Sequence, residues 1–128
     1  MIFIHTDALL QILDKKSNKG QEIFEKLEKS GDNFAITSIT LYDVQSFLIE
    51  KAIEIPPPIY LLRIYDFSKE DAQKAIEMEF EIRKKKGKKM YAHDLMVCAT
   101  VINQSGTLCT IDYRLEELAE HGLKLFLV

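Results

Sequence analysis

Four aspartates and one histidine stand where an α/β chain places its chemistry. His5 and Asp7 lie in "MIFIHTDALL", where an apolar run, Met1 to Ile4, breaks at polar residues and a new apolar pattern restarts at Ala8. Asp43 closes "TLYD", Asp94 opens a strongly apolar segment, and Asp112 directly follows another apolar run. Taken singly, each aspartate suits a helix start or a turn, where a carboxylate accepts free backbone N–H groups. Taken together they ask for more. Carboxylates from separate segments that meet at one place repel each other unless a cation holds them. Oxygen-rich clusters of this kind suit Mg²⁺ or Mn²⁺, and the usual chemistry with such ions is phosphoryl displacement.

The elements that would carry these residues follow from periodicity. Ile2 to about His5 reads as a buried strand, and Leu9, Leu10, Ile12 and Leu13 recur at helical spacing, with Asp7 as the expected N-cap. A helix carrying Ile23, Phe24 and Leu27 stops near Gly31, and Phe34 to Thr37 is a short strand. Thr40 and Asp43 have the spacing of a capping box ahead of Val44, Phe47 and Leu48. After Pro56-Pro57-Pro58, the stretch Ile59 to Phe67 supplies a strand. Ser68 and Asp71 start a helix whose expected buried face is Ala72, Ala75, Ile76 and Phe80, ending at Gly87. The helix from about Ala92 is apolar nearly all round and should be central. Ser105-Gly106 turns into the strand Leu108 to Ile111; a helix over Leu115 to Glu120 and a strand over Leu123 to Val128 complete the chain. Strands alternating with helices predict α/β architecture with a mainly parallel sheet. Ligands of such sheets bind beyond the carboxyl ends of the strands, which is where all five residues fall.

A length of 128 residues fits one domain, and a 47% hydrophobic fraction supplies a core. A net charge of −3 excludes a globally basic nucleic-acid binder, though a local basic patch beside acidic residues is compatible with it. The strongest such patch is "RKKKGKK", with Lys84, Lys85, Lys86, Lys88 and Lys89 just ahead of Tyr91, His93 and Asp94. It reads equally as a solvated helix end and as a phosphate-contacting surface. Cys98 and Cys109 sit in apolar runs and read as small core residues in a reducing cytoplasm. The first apolar run is too short for a signal peptide and nothing approaches a membrane span, so a cytoplasmic chain is expected. A flavodoxin- or receiver-like domain would also place acids at this edge, but there is no glycine-rich phosphate loop and the acid spacing is wrong for it.

Four stretches taken in order, "MIFIHTDALL", "ITSITLYDV", "HDLMVCATVINQSG" and "TLCTIDYRLEEL", resemble the PIN-domain ribonucleases, and among them the VapC-like toxins of toxin–antitoxin pairs. The most specific part is "DLMVCAT…GTLCTID". The resemblance implies one three-layer α/β/α domain over residues 1–128. It implies an endoribonuclease that hydrolyses RNA phosphodiesters with Mg²⁺ or Mn²⁺, an antitoxin protein as partner, and a homodimer. Carried over by position, Asp94 and Asp112 match family acids directly, and Asp43 stands where glutamate is usual. The family reads D-T-N or D-T-S at the first strand end. Here His5 takes the place of that first aspartate, and Asp7 takes the place of a small polar residue. The implied catalytic set is Asp7, Asp43, Asp94 and Asp112, and the implied metal set is His5, Asp7, Asp94 and Asp112. An imidazole in that set favours Mn²⁺ over Mg²⁺. The alternative is the same fold with catalysis lost, kept as an RNA- or protein-binding module.

Overall fold

Alternation along the first strand decides the layers. Ile2 and Ile4 point to one face of a sheet and Phe3 to the other, and all three are buried. A strand that is apolar on both faces must be covered on both. In the computed structural model, which describes residues 1–53, 62–87 and 89–128, this strand, β1 (Ile2–Ile4), lies in the middle of the sheet. Its companions are β2 (Phe34–Thr37), β3 (Arg63–Tyr65), β4 (Thr107–Thr110) and β5 (Lys124–Leu127). Their order is β3-β2-β1-β4-β5, and every pairing is parallel. Phe3 is in register with Ala35 and Leu108, and Ile4 with Cys109.

One face is covered by α1 (Thr6–Leu13), α2 (Asn18–Ser30) and α3 (Ser38–Glu50). There Ile2, Ile4, Ile36 and Cys109 meet Ala8, Leu9, Ile23, Leu27, Val44 and Leu48. The opposite face is covered by α4 (Lys69–Lys86), α5 (Ala92–Asn103) and a 3-10 helix (Tyr113–His121). There Phe3, Ala35 and Leu108 meet Met78, Ile82, Leu95, Val101, Leu115 and Leu118. The three-layer α/β/α arrangement expected above is therefore present. So is the central helix: six consecutive-turn residues of α5, from Leu95 to Val101, are buried.

Four local expectations are corrected. The N-cap position of α1 is His5, with extended backbone, and Asp7 sits within the first turn. The cap of α3 is Thr37, whose hydroxyl oxygen accepts from the Thr40 N–H at 3.1 Å, so Thr40 caps nothing and Asp43 lies in the second turn. On α4 the buried face is Asp71, Met78 and Ile82, with Ala75 partly buried against the same core as expected, while Ala72, Ile76 and Phe80 are exposed. The helix start itself is as read: Ser68 and Asp71 form a reciprocal capping box, and Gly87 ends the helix in the left-handed region at φ 62°. Phe24, expected in the apolar stripe of α2, is also exposed. Pro56 to Pro58 and the first residues of the Ile59–Phe67 strand lie outside the described residues.

The approach of α2 to α1 is set by Gly20. A Cβ built there runs into the backbone carbonyl of Gln11. A backbone atom cannot swing aside as a side chain can. Gly20→Ala is therefore expected to destabilise the fold by at least about 2 kcal/mol, despite alanine's better helix propensity. Urea unfolding followed by circular dichroism checks this; a stability equal to or above the parent's would show that α1 and α2 can separate freely.

Candidate active site

The strand order places a topological switch between β1 and β4, beside which a crevice opens at the carboxyl ends. β1 delivers His5 and Asp7 to it and β4 delivers Asp112. Asp94 arrives in the first turn of α5, where the helix dipole favours a carboxylate, and Asp43 comes from the second turn of α3. All five side chains line one open cavity of about 420 Å³, together with Ser46, Glu50 and Tyr91. The charges converge as well. The thiol of Cys98, beneath the cavity, is pushed up by burial and further by Asp94, Asp112 and Asp7.

Each acid has a partner. His5 is 5% exposed, and its Nε2 lies 3.0 Å from Asp94 Oδ1, while its buried Nδ1 has no hydrogen-bond partner among the described residues. Asp7 accepts from the Ala8 N–H at 2.6 Å and from the Thr110 hydroxyl at 2.7 Å. The same Thr110 oxygen accepts from the Asp112 N–H at 3.0 Å, so one hydroxyl joins the two strand-end acids. Asp43 Oδ1 is 2.7 Å from His93 Nδ1. Asp112 takes both arms of the Arg114 guanidinium, at 2.9 and 2.8 Å, and this pairing holds its carboxyl below the usual carboxylate range. Thr110, His93 and Arg114 were not singled out as site residues by sequence. The T-x-D spacing is the signal that points to Thr110, and adjacency to Asp94 is the signal for His93, which by itself reads more simply as a surface histidine; nothing local points to Arg114.

The donor set suits a divalent ion in chemistry. His5 Nε2 and Asp94 Oδ1 also suit one in spacing, since adjacent ligands about 2.1 Å from one small ion stand about 3.0 Å apart. Among the described residues, no three His, Cys, Asp or Glu side chains stand close enough to share an ion as they are placed. Bringing in Asp112 means exchanging its pair with Arg114. That exchange is cheap, because Arg114 is 84% exposed and surface ion pairs contribute about 0–1 kcal/mol.

The basic run divides. Lys85 pairs with Glu81 and Glu120, and Lys86 with Glu117, which ties both to other parts of the helical layer. Lys84 is exposed. Lys89 lines a second cleft, of about 180 Å³, with Tyr91, Asp94, Asp112 and Arg114. Lys88 lies outside the described residues. Cys98 and Cys109 are buried free thiols, as expected.

The fold is shared with solved structures. One chain of VapBC2 from Rickettsia felis, solved bound to a DNA fragment from its promoter, is similar with a TM-score of 0.74 and 22% identity, over 100% of this chain and 99% of that one. FitAcB from Neisseria gonorrhoeae gives 0.71 and 20% identity over 98% and 96% of the two chains. VapBC-1 from nontypeable Haemophilus influenzae gives 0.70 and 16% identity over 99% and 98%. No family model and no curated protein sequence matches the chain. The fold is therefore the PIN-like α/β fold, in the form found in VapBC toxin–antitoxin complexes. No helix among the described residues is long and apolar enough to cross a membrane.

Proposed function

We propose that this protein is a single PIN-like domain over residues 1–128 that acts as a metal-dependent endoribonuclease, the toxin of a toxin–antitoxin pair. The observation that carries this reading is the convergence of His5, Asp7, Asp43, Asp94 and Asp112 from separate segments on one cavity at the sheet's switch point. His5, Asp94 and Asp112, with Asp7 alongside, would hold Mn²⁺ or Mg²⁺, which supplies a polarised phosphoryl oxygen and an activated water. Thr110 holds Asp7 and the Asp112 backbone in position for this. His93 fixes Asp43 through Oδ1, and Oδ2 is the oxygen assigned to accept the proton of the attacking water. Lys89 and Arg114 offer positive charge to the RNA backbone beside the acids. The similarity to VapBC complexes supports an antitoxin protein as partner, and the resemblance supports a homodimer acting in the cytoplasm.

The test is cleavage of a labelled single-stranded RNA by the purified protein with Mn²⁺, with Mg²⁺ and with chelator. Cleavage is expected with Mn²⁺, weaker with Mg²⁺, and none with chelator. Equal cleavage in chelator would sink the reading. A second reading, binding of RNA without cleavage, is favoured by one observation: His5 beside Asp94 and Arg114 on Asp112 already place the protein's own nitrogens against two of the acids. Under it, wild type binds RNA and cuts with neither ion.

Both readings share a prediction about the basic residues. Lys89→Gln is expected to weaken RNA binding and to lower the salt slope of log K by about 1. Lys85→Gln should change it little, since that lysine already faces glutamates. Anisotropy titrations at several salt concentrations check this, and equal slopes for the Lys89 variant and the parent would remove Lys89 from the RNA path.

A further inference from the structure

Three aromatic rings stand together beside the acidic cavity, which one of them, Tyr91, lines. The His93 ring is 5.2 Å from Tyr91, tilted by 55°, and 6.2 Å from Tyr42, nearly edge-on at 78°. Both tyrosines are open to solvent, at 62% and 63% exposure. A single exposed tyrosine is unremarked on any surface. Two of them converge on one histidine, from α3 and from the N-cap position of α5, and each leaves more than half of its surface in water. The ring between them is anchored, because Asp43 holds His93 Nδ1 at 2.7 Å. Tyr91 also lines both spaces of the site, the acidic cavity and the cleft that contains Lys89 and Arg114.

We propose that Tyr42, Tyr91 and His93 form a stacking site for an unpaired nucleobase of single-stranded RNA, with the adjoining phosphate on Lys89 and Arg114. This rests on the reading of the protein as RNA-directed and adds what it recognises. A base offers a π-face of either edge-on or stacked geometry to such rings, whatever its identity. A base held in a duplex has both faces covered by its neighbours, so the site selects unpaired strands and tolerates sequence. The neighbouring Lys89 favours this occupant over an apolar protein segment, which would leave its ammonium without a counter-charge. Asp43 is a positioning residue here: by fixing His93 it keeps the platform assembled, and its carboxylate stays beside the backbone of the nucleotide so placed.

The experiment measures binding of a labelled 12-nucleotide unpaired RNA and of an RNA hairpin stem, with chelator present so that the probe stays intact. Wild type is compared with Tyr91→Leu, Tyr91→Phe and Tyr42→Leu, each first shown to melt like the parent. Leucine at either position is expected to weaken binding of the unpaired strand by about 5- to 100-fold, the range for loss of one stacked base. Phenylalanine, which keeps the ring, should bind within about twofold of wild type. The salt slope should be unchanged in all three, since stacking releases no counterions. The stem should bind more weakly than the unpaired strand and should not respond to leucine. Unpaired RNA bound equally well by wild type and both leucine variants would overturn the stacking site while leaving an RNA-directed protein. No RNA binding by wild type would overturn both. A phenylalanine variant as weak as the leucine one would assign the effect to the hydroxyl and also overturn stacking.

Discussion

Asp94→Asn is expected to lower RNA cleavage by on the order of 100-fold or more in every metal, at least as large a loss as that of one well-placed charge-stabilising group in an active site. Asparagine keeps the shape of the side chain, so the first turn of α5 should survive. What goes is the negative charge next to His5, at the 3.0 Å spacing that two ligands of one ion require. His5→Asp should act in the opposite direction. It replaces a nitrogen donor with an oxygen donor, which Mg²⁺ accepts far more readily, and it restores the residue usual in the family this chain resembles. Mg²⁺-dependent cleavage should rise, and the preference for Mn²⁺ should shrink. The assay is the labelled single-stranded RNA with each ion and with chelator, for wild type, the two variants and their combination. Wild-type silence with cleavage by His5→Asp would establish the binding-only reading. Cleavage by Asp94→Asn at the wild-type rate would show that the cavity is not the site.

Asp71 is the residue with the largest expected effect on stability. It is 2% exposed, and its carboxylate is shared by two helices. Within α4 it accepts from the Ser68 N–H at 3.0 Å; from α5 it accepts from the Thr100 hydroxyl at 2.8 Å and the Asn103 amide at 2.8 Å. Asp71→Ala leaves those three donors without their acceptor and is expected to cost about 3 kcal/mol, lowering the melting temperature by on the order of 10 °C. The residue also sets an acid limit. Burial pushes its carboxyl up, but the hydrogen bonds from Ser68, Asn103 and Thr100 outweigh that, and the folded pKa lies below the ordinary value of 3.8. A carboxyl depressed on folding contributes stability above its unfolded value, and that contribution is lost as pH falls through the folded one. Stability should therefore drop below about pH 4 in the parent and drop less steeply in Asp71→Ala. Denaturant unfolding from pH 3 to pH 7 measures both, and parallel curves for parent and variant would deny Asp71 this role.

Much of the site's placement was legible in the chain. An apolar run that ends in polar residues before a helical pattern reads as a strand reaching an edge, and three such junctions carry His5 with Asp7, Asp43 and Asp112, while Asp94 opens the apolar helix α5 directly after α4 and a loop. The three strand-end groups meet at one cavity once the strands are parallel, because every carboxyl end then lies on the same side, and the first turn of α5 brings Asp94 to them. The α5 helix was equally plain, since a helix without a polar face has no choice but the centre. What the sequence left open were the partners. His93 binds Asp43 across fifty residues, and Thr110 binds Asp7 across more than a hundred. No local pattern encodes pairings of that range. Only the packing of α3 against α5 and of β1 against β4 creates them.

The α4 helix shows where the division lies. Periodicity alone determined that 69–86 is a helix, that Ser68 and Asp71 begin it and that Gly87 ends it, because those are local hydrogen-bonding facts. It offered two faces, and the more apolar one, Ala72 with Ile76 and Phe80, is the one that faces water. The tertiary structure chose the other, Asp71 with Met78 and Ile82, because α5 brings Thr100 and Asn103 to satisfy the carboxylate that would otherwise have barred that face from the core. A buried acid is excluded by its own chemistry and admitted only by its neighbours' donors, and those neighbours are set by the fold.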